Sequence, residues 1–473
     1  MQNVFDNIPD NTILFVDQRS SIVISLMNGF LDLLSNKFLM ICNLVEFDEI
    51  SALINKLKSI FKFRNAAIMV SKPIRNCEVL MNIFKQNEID VYKIFSANPE
   101  NDNELFVKLP NFDIKIWDNF ILIPTMPNIN LELLGIEEPH SCSLIAESII
   151  EYMELNNQND FLTFSYGEYS ENVQKILELK QKRNVSDNAL LLIDRNKFCA
   201  PLFMNESLLD NVSSNFTSFI KDKEFVEIAL NKGDDELLRK IVNLFSIKDK
   251  KISYQKLYDY WNSLTLEEKY QYEVIHPSLK FIFSEAFDNE LFQMKENILD
   301  GKDVNDIMNN IIYNFSKSLS LIGIEHCIKE IDYEFLVSKA YNNCSCGKEK
   351  MLPINSIIKI FSSCSSGYKF QDSKKFKIKD LYCLPYMLKR ILNKDSQIDE
   401  NIKSYNCGFF SKLFSKKKSL CDFKNLFVYI LGGISFTELQ MINSILKDND
   451  SDINFKIISD SFCSPRTIFS NLN

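Results

Sequence analysis

The segment Asn425–Leu446 reads NLFVYILGGISFTELQMINSIL. Leu426–Leu431 is an unbroken run of branched, aromatic and aliphatic residues, the composition of a strand covered on both faces in a parallel sheet. Gly432 and Gly433 allow a sharp turn that bulkier residues would strain. Ser435 and Glu438 have the S-x-x-E spacing of a capping box, in which each side chain takes up one free N–H at a helix start. Behind them Phe436, Leu439, Ile442, Ile445 and Leu446 recur at helical spacing. This is a strand–turn–helix unit. Its expected sheet neighbour is Ala189–Asp194, ALLLID, more than two hundred residues upstream. The chain between reads as helices, so we expect an α/β sheet interrupted by a large helical insertion.

Toward the N-terminus, Thr12–Val16, Phe38–Val45, Ala66–Ser71 and Ile89–Phe95 read as short buried strands. Helical patterns alternate with them. One carries Val23, Met27, Phe30, Leu31 and Leu34, a second Ile50, Leu53, Ile54, Leu57 and Ile60, and a third is Cys77–Gln86. Such alternation gives a parallel sheet with helices on its faces. The polar, acidic stretch Ser96–Glu104 marks a first boundary, which makes 1–103 an N-terminal α/β domain.

Leu105–Lys108, Phe120–Pro124, Phe161–Ser165 and Ala189–Asp194, with helices Leu144–Leu155 and Tyr169–Arg183, begin a second α/β domain over 104–205. It resumes over 421–473 with Leu426–Leu431 and Ile453–Ser459. The insertion, 206–420, shows Phe225–Phe245 with a bend at Gly233, then Ile252–Trp261, Leu279–Leu299, Val304–Leu321 and Ile354–Phe361. Pro277 interrupts the pattern. Asp372–Asp380 and Asp395–Ser404 read as loops.

The chain has 473 residues, 46% of them hydrophobic and 25% charged, ordinary values for a globular protein of about three domains. A net charge of −9 argues against a general nucleic-acid binder, whose phosphate contacts need excess Lys and Arg. With 38 Phe against 11 Gly, packed helices outnumber glycine-built ligand loops. MQNVFDNIPD lacks the cationic-then-apolar order of a signal peptide. The apolar run Ile22–Leu34 is shorter than the ~20 residues that span a bilayer. Twelve scattered cysteines fit reduced thiols. The expected setting is the cytoplasm, with any membrane contact peripheral.

Chemistry is sparse. Asp194 and Arg195 end a buried strand, where they serve either a catalytic or phosphate site or an ion-pair and capping network. The second reading is the better one, because buried charge is costly unless paired. Gly432-Gly433 lacks the glycine and lysine spacing of phosphate loops, and the capping box occupies the helix start a phosphate would need. Cys344 and Cys346, even with His326, Cys327 and Cys364, do not supply the paired spacing of a structural zinc site. With three histidines, His140, His276 and His326, no nucleophile–base pair emerges. His276, before Pro277, is expected at a helix end. No enzyme activity, cofactor or metal is expected. The basic run Lys412–Lys418, KLFSKKK, after Phe409 and Phe410, is the best candidate for contact with anionic lipid. A solvated loop is the plainer reading of it.

The segment LLIDRN…PL (Leu191–Leu202), with Asp194, Arg195 and Pro201, resembles the signature of the Sec/Munc (SM) family of membrane-fusion regulators. LGGISFTELQMI (Leu431–Ile442), with Gly432, Gly433, Ser435 and Glu438, is similar to that family's closing strand and helix. It looks most like the class C vacuolar-protein-sorting branch, the SM subunit of endolysosomal tethering complexes. ILFVDQ (Ile13–Gln18), AAIMVSKPIRN (Ala66–Asn76) and GEYSENVQKILELKQKR (Gly167–Arg183) follow the family's order more weakly. Where the family carries a second acidic residue and a Thr, Phe198 and Ala200 stand here, and RSSIVIS (Arg19–Ser25) replaces its small first turn.

The resemblance implies an arch-shaped protein without catalysis. It would bind SNARE helices on a hairpin spanning about Lys248–Leu299 and template their assembly. It also implies a class C tethering subunit as second partner and peripheral association with endosomal or vacuolar (lysosomal) membranes. Two other readings stay open: an adaptor that binds the tethering subunit but no SNARE, and a nucleotide- or sugar-binding enzyme with its ligand at the carboxyl ends of the strands.

Overall fold

The computed structural model describes residues 8–468 apart from 18–19, 22–23, 25–37, 45–46, 71–76, 97–105, 109–113, 118, 125–128, 137–140, 181–185, 205, 214–218, 220, 248–252, 285–288, 309–314, 344–352, 365–380, 395–401, 405–419, 449–452 and 466–467. Most of Ile22–Leu34, together with His140, Cys344, Cys346 and the basic run Lys412–Lys418, lies outside these residues. The chain divides into two compact units. One holds residues 1–114, 123–128 and 147–151, and the other holds 115–122, 129–146 and 152–473.

In the first unit, β1 (Thr12–Val16), β2 (Phe38–Asn43), β3 (Asn65–Val70), β4 (Asp90–Ser96) and β5 (Phe106–Lys108) form a parallel sheet in the order β2-β1-β3-β4-β5. Every residue of β1 is buried, as its continuous apolar run requires of a central strand. Helix α1 (Phe47–Ile60) contributes Ile50 and Ile54 to the core, and α2 (Cys77–Gln86) contributes Leu80 and Phe84. Phe84 meets Phe15 edge to face at 5.1 Å. The expected boundary at residue 103 is displaced. Phe106–Lys108 pairs with β4 and completes the first sheet, so the acidic stretch before it joins two strands of one sheet.

The second unit holds a seven-stranded sheet in the order β10-β8-β9-β11-β12-β7-β6. Its strands are β6 (Ile114–Trp117), β7 (Phe120–Leu122), β8 (Leu162–Tyr166), β9 (Asn188–Asp194), β10 (Lys403–Ser404), β11 (Asn425–Leu431) and β12 (Asn454–Ser459). The run from β8 through β9, β11 and β12 to β7 is parallel, and β10 adds antiparallel to the edge. β9 and β11 are neighbours as expected, in register from Ala189 opposite Leu426 to Asp194 opposite Leu431. Strands β6 and β10 had no sequence signal. At four and two residues they are too short to display an alternation.

Helices α3 (Ile129–Leu133), α4 (Cys142–Leu155) and α5 (Glu168–Lys180) precede β9. After it come α6 (Ala200–Phe203), α7 (Asp210–Ser213), α8 (Lys223–Lys232) and α9 (Asp234–Leu244). Gly233, with φ 86°, separates α8 from α9, so the expected bent helix is two helices. Next are α10 (Tyr254–Ser263), α11 (Leu266–Ile275), α12 (Leu279–Ile282), α13 (Asn289–Leu299), α14 (Val304–Met308), α15 (Phe315–Ile328), α16 (Tyr333–Asn343), α17 (Ile354–Ser363) and α18 (Cys383–Leu392). Helix α19 (Phe436–Lys447) follows β11. The expected single helix Leu279–Leu299 ends its first piece at Ile282.

The insertion core is built on α6. Phe203 stacks on Phe361 of α17 at 4.5 Å, and Leu319, Ile322 and Ile357 pack in the same cluster. Helix α15 lies so close to α6 that a methyl group on Gly323 would sit 2.2 Å from the Phe203 ring. An Ala for Gly exchange inside a helix normally gains about 1 kcal/mol. Here overpacking reverses the sign. Gly323→Ala is expected to lower the unfolding free energy in urea by about 1–3 kcal/mol, and a gain would contradict the packing described.

Candidate functional site

The carboxyl edge of the second sheet gathers the residues singled out from the sequence. Arg195 leaves β9 fully buried, and its guanidinium grips Glu438 of α19 in a bidentate pair, Nη1 to Oε2 at 2.7 Å and Nη2 to Oε1 at 2.9 Å. Nη1 also donates to the Gly433 carbonyl at 3.3 Å, and Nη2 to the Phe198 carbonyl. Glu438 completes the expected capping box. Its Oε2 accepts from the Ser435 N–H at 3.0 Å, and the Ser435 hydroxyl accepts from the Glu438 N–H at 3.2 Å. One carboxylate thus caps a helix and neutralises a buried cation. Pro201 stands in the first turn of α6, where its missing N–H costs nothing.

Asp194 and Arg195, adjacent in sequence, do not serve each other. Asp194 turns to the start of α5 and accepts from the N–H groups of Tyr169 at 2.9 Å and Ser170 at 2.7 Å. Burial pushes its carboxyl up to about 6, against the pull of those N–H groups. Gly432, at φ 89°, makes the turn after β11 and donates its N–H to Asp460 beyond β12 at 2.6 Å. A Cβ there would lie 2.5 Å from Leu133, so glycine is required on both counts.

Three residues of this network carried no signal that was read. Asp210 of α7 accepts from the N–H groups of Phe436 (2.9 Å) and Thr437 (3.2 Å) and from the Thr437 hydroxyl (2.6 Å). It also accepts from the N–H groups of Ser207 (2.9 Å) and Glu206 (3.0 Å). It therefore ties the start of the insertion to the helix that closes the sheet. Burial pushes its carboxyl up to about 6, opposed first by the Thr437 hydroxyl. Asp460 had a readable cue, since it follows an apolar strand as Asp194 does. Nothing in the sequence around Asp210 and Thr437 distinguishes them from solvated polar residues.

Chemically, the edge is occupied by the chain's own groups. The two helix starts that would hold a phosphate, those of α5 and α19, are filled by Asp194 and by Glu438 with Asp210. Among the described residues no three side chains converge as metal ligands, and no helix is long and apolar enough to cross a membrane.

A different kind of surface appears within 254–275. Helices α10 and α11 follow one another across Leu264 and both meet Phe245, and the Thr265 hydroxyl and Glu268 make a second capping box at the start of α11. Trp261 is buried against Phe245 and Phe283, and Phe245 also meets Tyr272 of α11 at 5.0 Å. At the base, Asp222 holds His276 Nδ1 at 2.9 Å and the Ser278 N–H at 3.2 Å, and Phe225 stacks on the imidazole. His276 does end a helix, as its sequence position indicated. The outer face of α11 buries nothing. Leu266, Tyr270 and Val274, spaced four apart, are 87%, 68% and 63% exposed. Within the expected region Lys248–Leu299, α13 packs onto α15.

No protein-family model matches the chain, and no curated protein sequence matches it. Solved structures do. The Unc18 protein of Monosiga brevicollis, solved with syntaxin 1, overlays with a TM-score of 0.50 at 10% identity, covering 100% of this chain and 97% of that one. The fold is that of the SM (Sec1/Munc18) proteins. Other SM structures overlay more loosely. Vps45 gives 0.48 at 12% identity over 98% of this chain and 93% of that one. Sly1p, solved with an N-terminal peptide of Sed5p, gives 0.43 at 12% identity over 100% and 93%.

In this SM fold the carboxyl edge is a fastening, and two outcomes follow. Glu438→Gln leaves the buried Arg195 charge unpaired and is expected to cost about 3–5 kcal/mol in urea unfolding. Asp194 and Asp210, titrating near 6 when folded and near 4 when unfolded, bind more protons in the native state between those values. Their contribution to stability is therefore full below about pH 4 and is lost as pH rises through about 6. In Asp210→Asn, unfolding at pH 4.5, 5.5 and 7 should show a shallower fall over this window. An unchanged slope would remove Asp210 from the account.

Proposed function

We propose that this chain is an SM-type regulator of vesicle fusion that binds SNARE helices on the helix pair Tyr254–Ile275 and templates their assembly. The observation that carries the proposal is the α11 face. Leu266, Tyr270 and Val274 form an apolar stripe at helical spacing, on a helix pair whose aromatic base is fixed by Phe245 and Trp261. Such a stripe suits an amphipathic helix laid alongside it. SNARE segments lose conformational entropy on assembly, and a preformed helical surface offsets part of that cost before the partners meet. The overlay on an Unc18 protein solved with syntaxin supports the same class of partner.

The likeness of Leu431–Ile442 to the class C vacuolar-protein-sorting branch supports a finer reading. In it the protein works at endosomal or vacuolar (lysosomal) membranes, held at their cytoplasmic face through a class C tethering subunit. Asp194, Arg195, Pro201, Gly432, Gly433, Ser435 and Glu438 then serve structure, and no cofactor is required. The carboxylates filling the carboxyl edge weigh against a nucleotide- or sugar-binding enzyme.

Replacing Leu266, Tyr270 and Val274 by Asp in the full chain tests this. Fully burying an apolar side chain of this size in a complex is worth about 1.5–3 kcal/mol. The triple variant is therefore expected to bind an assembled SNARE bundle at least about tenfold more weakly, with its unfolding midpoint little changed. Undiminished binding would overturn this assignment. A native chain that captures the tethering subunit and no SNARE would be the adaptor instead.

A further inference from the structure

Behind the Asp194-Arg195 motif lies a group of buried thiols that the proposed function does not use. Cys199 precedes α6, and its Sγ lies 3.5 Å from Sγ of Cys327, near the end of α15. Cys364, which ends α17, also interacts with Cys199, and Cys463 and Cys383 stand within electrostatic reach of the group. Cys199, Cys364 and Cys463 share one buried core with Cys327 packed against it, although they come from segments far apart in sequence. Cys199 and Cys364 belong to the insertion core, and Cys327 packs at its margin, half-buried. Among the described residues no metal-holding geometry exists here.

We propose that Cys199 and Cys327 are a peroxide-oxidisable pair whose disulfide fastens the helical insertion to the strand β9 that it leaves. Three features support this. The sulfurs need approach by only about 1.5 Å more to reach bonding distance. Hydrogen bonding with Cys327 and Cys364 lowers the Cys199 thiol, with His326 and Arg195 adding to the effect. Cys199 is assigned the attack and Cys327, 3.5 Å away, the resolving role. Cys327, being half-buried, leaves a route by which a molecule as small as hydrogen peroxide reaches the pair.

In the first step Cys199 gives up its proton, its thiolate attacks one peroxide oxygen, the O–O bond breaks, and a sulfenic acid forms with a hydroxide that takes the Cys199 proton as the first water. The Cys327 sulfur then attacks the Cys199 sulfur, the S–O bond breaks, and the released hydroxide takes the Cys327 proton. Overall, two thiols and one peroxide give one disulfide and two waters, the two electrons passing from sulfur to oxygen. A reducing thiol such as glutathione reverses the change.

The linked residues are 128 apart in sequence, so the bond closes a long loop and restricts the unfolded chain strongly. The test uses the full chain, folded, exposed to hydrogen peroxide, alkylated under denaturing conditions and digested without reduction for mass spectrometry. A Cys199–Cys327 linked peptide is expected, lost again on treatment with dithiothreitol. The thermal midpoint should rise by about 5–10 °C in the oxidised protein and stay in place in peroxide-treated Cys327→Ala. Alkylated Cys199 after peroxide treatment, a predominant Cys199–Cys364 link, or an equal rise in Cys327→Ala would each overturn the proposal.

Discussion

The bidentate pair between Arg195 and Glu438 closes a separation of 243 residues inside the protein interior. Neither group touches solvent, so each gave up its hydration when the chain folded. Coulomb attraction alone does not repay that loss at a buried site. The remaining hydrogen bonds, to the carbonyls of Phe198 and Gly433 and from Ser435, supply most of the compensation, and only Arg195 Nε among the guanidinium nitrogens is left without an acceptor. Such a pair adds little net stability over a well-packed apolar substitute, but it admits few alternative partners. Its effect is specificity. A chain that leaves a sheet at residue 194 and returns at 425 has only one arrangement that pairs these charges.

Asp210 repeats the same logic with a different chemistry. Its two oxygens collect N–H and hydroxyl donors from both ends of the insertion. Two carboxylates, Glu438 and Asp210, thus serve the start of α19 together, and the helix dipole favours negative charge there. The insertion is thereby anchored at its entrance to the helix that follows its exit. Under the proposed function such a base matters, because a loosely held surface would offset less of the entropy its partners lose on ordering.

Much of this architecture is legible in the residues. Leu190–Ile193 and Leu426–Leu431 are continuous apolar runs because both faces of their strands are covered, and the capping box at Ser435 names the helix start outright. Other features are hidden for physical reasons. Phe106–Lys108 looks like the next strand of whichever sheet follows, and only hydrogen bonding assigns it to β4. Helix α11 buries nothing, so a search for apolar faces turned inward passes over it although its exposed stripe is the feature of interest. The adjacency of Asp194 and Arg195 suggests a pair, yet successive residues at a strand end point apart and find separate partners. The link from Asp210 to α19 does not show in sequence because the donors that make it come from a segment more than two hundred residues away.

Native-state hydrogen exchange on the full chain tests the central claim most directly, that strands β9 and β11 are held as one layer by the closing clamp. The amides of Ala189–Ile193 and Val428–Leu431 are predicted to open with one common free energy, and in Glu438→Gln both sets should drop together by the same amount. If β11 opens well before β9, or if the variant weakens one strand and leaves the other unchanged, the two strands are separately maintained and the clamp does not hold the sheet.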